Sequence, residues 1–480
     1  MLKVEREIPI QIGPTDNIFL QGVFAPVSRE ITADDLEVEG AIPRDLFGVY
    51  LRNGPNPIFQ PRGRYHWFDG DGMIHAIEFC DGKATYRNRW IETEGFMAEQ
   101  TAGRAIWPGL MDKPDPKAPR GAGSDGWLKD TANTDLVFYN RRALALWYQC
   151  GTPYRVDPRT LRTQGVETFG GGLRRTVSAH AKVDPATGEL LFFDYATRPP
   201  FMTYNVASPA GELIHHVPIE LHGPRLPHDM AFTPRYSILM DLPLFWDPDL
   251  LARGIHKVTY FPDLPSRFAI IPRMGSSADV RWFEAPPCYI YHVVNAWEDG
   301  EEIVMDACRV LSPEPTAVRE EGGLARMKAF LRLEAELHRW RFNLADGATR
   351  EERLDDRRVE WPTIHRGRMG RRTRYAYMSL VPRFEGLVKY DLERNTTSKF
   401  LFGPGRTANE CPFAPRVGAR DEDDGYVVAF VADANAGDSG EVSIFDAKNI
   451  EAGPVARVRI PQRVPVGFHA LWIPGEQLAP

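Results

Sequence analysis

Short runs in which apolar, β-branched and aromatic residues alternate with polar ones recur along the whole chain. LALWYQ (144–149), ELLFFDYA (189–196), YSILMDLPLF (236–245), RFAIIPR (267–273), YIYHVVNAW (289–297), EEIVMDACRV (301–310), YAYMSLV (375–381), YVVAFVAD (426–433) and VSIFDA (442–447) all read as strands. Turn-forming stretches such as DPATGE (184–189) and DANAGDSGE (433–441) separate them. One stretch, GLARMKAFLRLEAELHRW (323–340), spaces Leu, Ala and Met three and four apart and predicts a helix. The 41 Gly and 40 Pro are scattered, as turns between many short elements require. No linker or shift in composition divides the 480 residues. The pattern predicts an all-β chain with one domain over residues 1–480, and suits a β-propeller better than several sandwiches. No repeat of about 40 residues is legible, so periodicity by itself gives no blade count. The long segments 92–128 and 313–345 would form a cap over one face.

Composition narrows the function classes. Apolar residues make up 43% of the chain, ample for a large core. The net charge of −7 argues against a nucleic-acid surface, which needs a basic face. No apolar run approaches the roughly 18 residues of a membrane-spanning helix, although weak contact with a membrane surface stays open. The start, MLKVEREIPIQIG, lacks the apolar centre of a signal peptide. Five cysteines without close pairing (Cys80, Cys150, Cys288, Cys308, Cys411) read as small core residues in a reducing compartment. A cytoplasmic protein is the expectation.

Four of the twelve histidines stand in apolar or small-residue strand contexts: SAHAKVDP (His180), LPHDMAFT (His228), YHVVNAW (His292) and GFHALW (His469). They are 48, 64 and 177 residues apart, so no local motif joins them. In a propeller, inner strands from distant parts of the chain converge on one axis, where four imidazoles could meet one ion. Neutral imidazole suits Fe, Zn or Cu, and a set without carboxylate or thiolate leaves open positions on an octahedral metal.

Ten further segments carry a resemblance. They are LRNGPNP (51–57), HWFDGDGMIHA (66–76), TANTD (131–135), GTPYRVDPRTLRT (151–163), SAHAKVDPATGEL (178–190), HDMAFT (228–233), HVVNAWE (292–298), EWP (360–362), NECPFAPR (409–416) and VPVGFHALW (464–472). Together they make the chain similar to the carotenoid cleavage oxygenase family from about residue 20 to 475. The resemblance implies a seven-bladed β-propeller with a helical and loop cap over the iron-bearing face. It implies Fe(II) on His180, His228, His292 and His469, with Glu360 and Glu410 orienting ligand imidazoles. The implied activity is cleavage of a conjugated C=C bond of a small apolar alkene with O₂, giving two carbonyls, with no catalytic residue beyond the metal site. An isomerohydrolase-like use of the ion and a non-catalytic binding propeller are the other classes.

The chain departs from the family pattern at LWYQCGTP (146–153), where Gln149 stands in place of a third orienting Glu. Gln can accept an imidazole N–H but brings no charge. Relatives that cleave stilbenes and propenyl phenols have a Lys where this chain has Tyr148. Tyr148 either offers a neutral hydrogen bond in the substrate pocket or packs there. Thr134 matches a residue whose methyl partly blocks one open iron position. Phe59 and Phe96, with Tyr65, Trp67 and Trp107, are expected to line an apolar tunnel.

Overall fold

The computed structural model describes residues 1–478, and its strands follow the alternation in the sequence. The segment expected at 289–297 forms the strand Ile290–Asp299. Ile290, Val293, Val294 and Ala296 enter a core with Ile303 and Met305 on the paired strand and Trp340 on the one beyond it. Burying such aliphatic and aromatic side chains contributes about 1.5–3 kcal/mol each. This strand is buried on both faces, and its pairing with Glu302–Val310 shifts register twice near His292.

The strands form six antiparallel sheets of four to seven strands and one two-stranded ribbon. Four consecutive strands, Asp135–Tyr139 to Thr163–Val166, make one sheet. Lys182–Val183 to Leu213–Ile219 make the next. A third runs from Ala231–Phe232 to Arg281–Ala285. The seven-stranded sheet is built around the 16-residue strand Thr349–Ile364. Its first half pairs with Ala335–Asn343 and its second half with Tyr375–Leu380, with irregular register in both pairings.

The two ends of the chain are exchanged between sheets. Ala470–Pro474 pairs with Gly48–Pro55 in the first sheet, while Val38–Gly40 pairs with Pro454–Ile460 in the last. The close approach of Gly54 to Gly467 belongs to this exchange. A Cβ on Gly54 would stand 2.6 Å from the Gly467 Cα, so only glycine fits there.

The helix expected over 323–340 is cut short. A helix spans Ala325–Leu331 only, and Ala335–Asn343 is a strand. Leu333 takes a left-handed φ of 49° between them. From residue 335 the alternation A-E-L-H-R-W-R-F buries Ala335, Leu337, Trp340 and Phe342 against neighbouring strands, which overrides the helical spacing. Among the described residues, no helix is long and apolar enough to cross a membrane.

Candidate metal centre

Each of the four histidines precedes a strand or lies near the start of one, and backbone hydrogen bonds fix His180 and His469. His180 precedes Lys182–Val183 in a left-handed conformation (φ 65°). Its N–H donates to Asp135 Oδ2 at 2.9 Å, which offsets the cost of that conformation. His228 precedes Ala231–Phe232 and His292 lies near the start of Ile290–Asp299. His469 precedes Ala470–Pro474; its N–H donates to the Thr134 carbonyl at 3.2 Å, and its carbonyl accepts the Asn53 N–H at 3.0 Å.

The four rings meet in one place. The nitrogens of His180, His228 and His292 available to an ion all lie within 4.8 Å of one another. Ring centroids of His180 are 4.8 Å from His228, 5.0 Å from His292 and 4.5 Å from His469; His292 and His469 are 4.8 Å apart. Nε2 of His180 and Nε2 of His292 are buried without a hydrogen-bond partner. Unpaired buried polar atoms are costly, so two beside each other point to a missing electrophile. The donor set fits a cation of the Fe, Zn or Cu type.

Carboxylates stand behind two of the rings. Glu360, wholly buried, places Oε2 2.5 Å from His292 Nδ1. Glu410 Oε2 lies 3.3 Å from His469 Nδ1 and also accepts the Ala470 N–H. Such acceptors fix the tautomer and orientation of a ligating imidazole. Burial holds His180 and His228 well below the ordinary imidazole range, reinforced by the neighbouring rings, and pushes His292 down to about 3. His469 differs. Burial opposes its charge, but the Glu410 carboxylate, together with Asp135 and Asp229, outweighs that effect and raises its pKa.

Two buried aspartates, which sequence reasoning missed, brace the centre. Asp135 holds the His180 N–H. Asp229 accepts the N–H of Met230 and of Val293, each at 2.7 Å, and pairs with Lys182 at 2.7 Å. It thereby joins the three segments that carry His180, His228 and His292. Asp135 ends the motif TANTD and Asp229 follows His228 in HDMAFT, and that membership was the available signal. Trp361 packs between His292 and His469, at centroid distances of 5.2 and 4.6 Å.

A cavity of about 550 Å³ opens from the histidines, and its wall includes Phe68, Tyr148, Tyr291, Trp246, Phe330 and Phe468 together with charged residues such as Arg64 and Lys113. Thr134 also lines it. Its hydroxyl donates to Asn133 and accepts the Tyr148 N–H, so its methyl is the face left over. The Tyr148 ring stands 5.9 Å from His228. Gln149 is at the same wall, with its side chain on the Tyr148 hydroxyl. No hydrogen bond joins Gln149 to His228 among the described residues.

Phe59 and Phe96, expected in the tunnel, are elsewhere. Both pack in a separate cluster with Ile58, Met73 and Trp90. Phe96 sits on the helix Glu94–Ala102 with its ring 6.2 Å from Trp90. That contact satisfies its apolar surface away from the cavity. Tyr65 and Trp67 likewise belong to a buried cluster, and Trp107 lines a second cavity of about 50 Å³.

A mostly β chain with buried, unpaired imidazoles at an apolar cavity defines a class: a metalloprotein that takes apolar ligands. The family model described as RPE65, Retinal pigment epithelial membrane protein, matches residues 24–474, and the chain belongs to that family, the carotenoid cleavage oxygenases. It is 36% identical to carotenoid 9,10(9',10')-cleavage dioxygenase 1 of Phaseolus vulgaris over 96% of this chain and 90% of the relative. It is 32% identical to a carotenoid cleavage oxygenase of Mycobacterium tuberculosis, covering 97% and 99%. Among solved structures, the lignostilbene dioxygenase of Pseudomonas brassicacearum superposes with a TM-score of 0.84 at 28% identity, covering 98% of this chain and 100% of the other. A cobalt-substituted apocarotenoid oxygenase of Synechocystis superposes at 0.82 with 28% identity, covering 94% and 97%.

Proposed function

We propose that this protein is an Fe(II) dioxygenase that inserts both atoms of O₂ across one C=C bond of a conjugated, largely apolar alkene, yielding two carbonyl products. The observation that carries the reading is the pair of unpaired Nε2 atoms on His180 and His292, in a cluster whose His228, His292 and His469 line the large, mostly apolar cavity. The relatives named as carotenoid, apocarotenoid and stilbene cleaving enzymes support the same chemistry.

His180, His228, His292 and His469 would hold the iron, and Glu360 and Glu410 keep His292 and His469 turned toward it. Bound Fe(II) supplies the means of activating O₂, while the alkene supplies the electrons. The rest of the work is binding. Aromatic side chains exclude water and hold a flat conjugated chain, and the Thr134 methyl crowds one approach to the centre. The sheets support a seven-bladed propeller. Thr349–Ile364 serves two blades, and Ala470–Pro474 closes the first onto the last, so the chain acts as a single domain. Five unpaired cysteines, four of them buried, support a reducing, cytoplasmic setting.

The test is anaerobic loading with Fe(II), then exposure to ¹⁸O₂ with a panel of apocarotenals, stilbenes and propenyl phenols. Mass spectrometry should show two aldehydes or ketones, each carrying one labelled oxygen. Turnover that proceeds equally without O₂ would overturn the dioxygenase reading in favour of isomerohydrolase chemistry.

A further inference from the structure

The cavity wall carries an imidazole that the metal centre does not use. His66 caps the short turn Trp67–Asp69: its Nδ1 accepts the Phe68 N–H at 3.1 Å, and its own backbone N–H donates to Asp69 Oδ2 at 2.8 Å. An imidazole whose Nδ1 accepts a hydrogen bond carries its hydrogen on Nε2. Burial pulls this ring down to about 4, so it is neutral and its tautomer fixed at ordinary pH.

That Nε2–H has no protein acceptor among the described residues, and His66 lines the cavity. Among the other donors on the wall, the Tyr289 hydroxyl donates to the Leu226 carbonyl at 2.6 Å and the Thr134 hydroxyl donates to Asn133. The Tyr148 and Tyr291 hydroxyls and the unpaired Trp361 Nε1–H belong to rings that stand against His228, His292 and His469, beside the metal centre. His66 lies farther off, at the end of a ladder of rings. Its ring is 4.9 Å from Phe68, Phe68 is 4.9 Å from Tyr148, and Tyr148 is 5.9 Å from His228. A conjugated chain lying along Tyr148 and Phe68, with one double bond at the histidines, brings its far end to His66.

We infer that His66 is a specificity-determining residue whose Nε2–H receives a neutral oxygen (hydroxyl, ether or aldehyde) on the substrate, so that the enzyme takes oxygenated conjugated alkenes in preference to hydrocarbons. The inference rests on the alkene-cleaving reading above. It follows from the general asymmetry of buried polar groups. A site built to hydrogen-bond an oxygen rejects the analogue that lacks it, because its donor is then left dry and unpaired.

The experiment titrates Fe(II)-loaded protein without O₂, following tryptophan fluorescence. The probes are an apocarotenal with its deoxygenated hydrocarbon, and 4-hydroxystilbene with stilbene. His66→Asn is the informative variant, since Asn still caps the turn by accepting the Phe68 N–H but removes the distal N–H. Wild type should bind the oxygenated member of at least one pair about tenfold more tightly. His66→Asn should lose that preference, with hydrocarbon affinity and melting temperature unmoved. His66→Phe should show the same loss of preference with a lower melting temperature. Equal weakening of both members, or an unchanged preference in His66→Asn, overturns the inference. Wild-type binding to all four probes without discrimination also overturns it but leaves the alkene reading standing. Binding to none removes the alkene reading and this inference with it.

Discussion

Oε2 of Glu360 lies 2.5 Å from Nδ1 of His292, and the same oxygen accepts the Trp361 N–H, while Oε1 of that wholly buried carboxyl has no partner among the described residues. Burial drives Glu360 strongly toward its protonated form and His292 toward its neutral form. A buried carboxyl held against an imidazole that still lacks a partner on its other nitrogen is costly unless a cation faces that nitrogen. The relationship therefore makes sense as one half of a metal site.

Glu360→Gln should keep the hydrogen bond to His292 and remove the carboxyl's ability to ionise when a cation is bound. Metal retention is expected to fall about 10- to 100-fold, the usual effect of losing such a partner. Elemental analysis after timed exposure to a chelator measures it, with far-UV circular dichroism confirming the fold. Retention equal to wild type would remove Glu360 from the support of His292.

Asp229→Asn should loosen the bracing of three histidine segments at once. The amide keeps one acceptor for the Met230 or Val293 N–H but leaves Lys182 without its charge partner. Lys182 is partly solvated, so the loss falls at the low end for buried pairs, about 2–3 kcal/mol. Urea unfolding measures that cost. Iron content should fall as well, whereas a purely global destabilisation would leave the iron content of the folded fraction intact.

Gln149→Glu tests the one place where the chain departs from its family pattern. The two side chains have nearly equal volume, so the change isolates charge. Slower metal loss to a chelator, by several-fold, is expected from a carboxylate added to the cavity wall near His228. The position of cleavage should not change. If metal loss is unmoved, Gln149 serves the Tyr148 hydroxyl alone.

His338 sets part of the acid limit of stability. Burial, followed by the Arg309 and Arg353 cations, holds its imidazole down to about 4. The unfolded chain takes up this proton near pH 6.5, whereas the folded chain declines it until about pH 4. Stability from this group is thus full above pH 6.5 and lost as pH falls from there toward 4. His338→Gln should flatten the melting-temperature profile across that window and leave it parallel to wild type above it. An unchanged slope would show that His338 does not contribute.

Much of this centre was legible because strands announce themselves by alternation and because the four histidines stand in strand-like apolar contexts. His292 in YHVVNAW is the clearest case. What was not legible is direction. Nothing in the composition distinguishes Phe68, which faces the cavity, from Phe96, which packs on Trp90. Local spacing also misled where two periods overlap. The run 323–340 is helical by spacing in its first half and strand-like by alternation in its second, and tertiary burial decided where one gave way to the other. Asp135 and Asp229 escaped notice because an aspartate bonded to backbone N–H groups leaves no sequence pattern of its own.

The pairing of Ala470–Pro474 with Gly48–Pro55 has a consequence for biosynthesis. On the ribosome, the codons for His180, His228 and His292 are read long before that for His469, whose seat on Asn53 and Thr134 waits until the last strand docks on the first sheet. A premature stop between residues 461 and 468 would therefore release a nascent chain with nearly all of its sheets and three of its four histidines, yet without the one that the closing strand delivers. Nonsense and frameshift alleles late in the reading frame should consequently be as severe as early ones, and the order of translation makes metal capture by the complete set one of the last events in maturation.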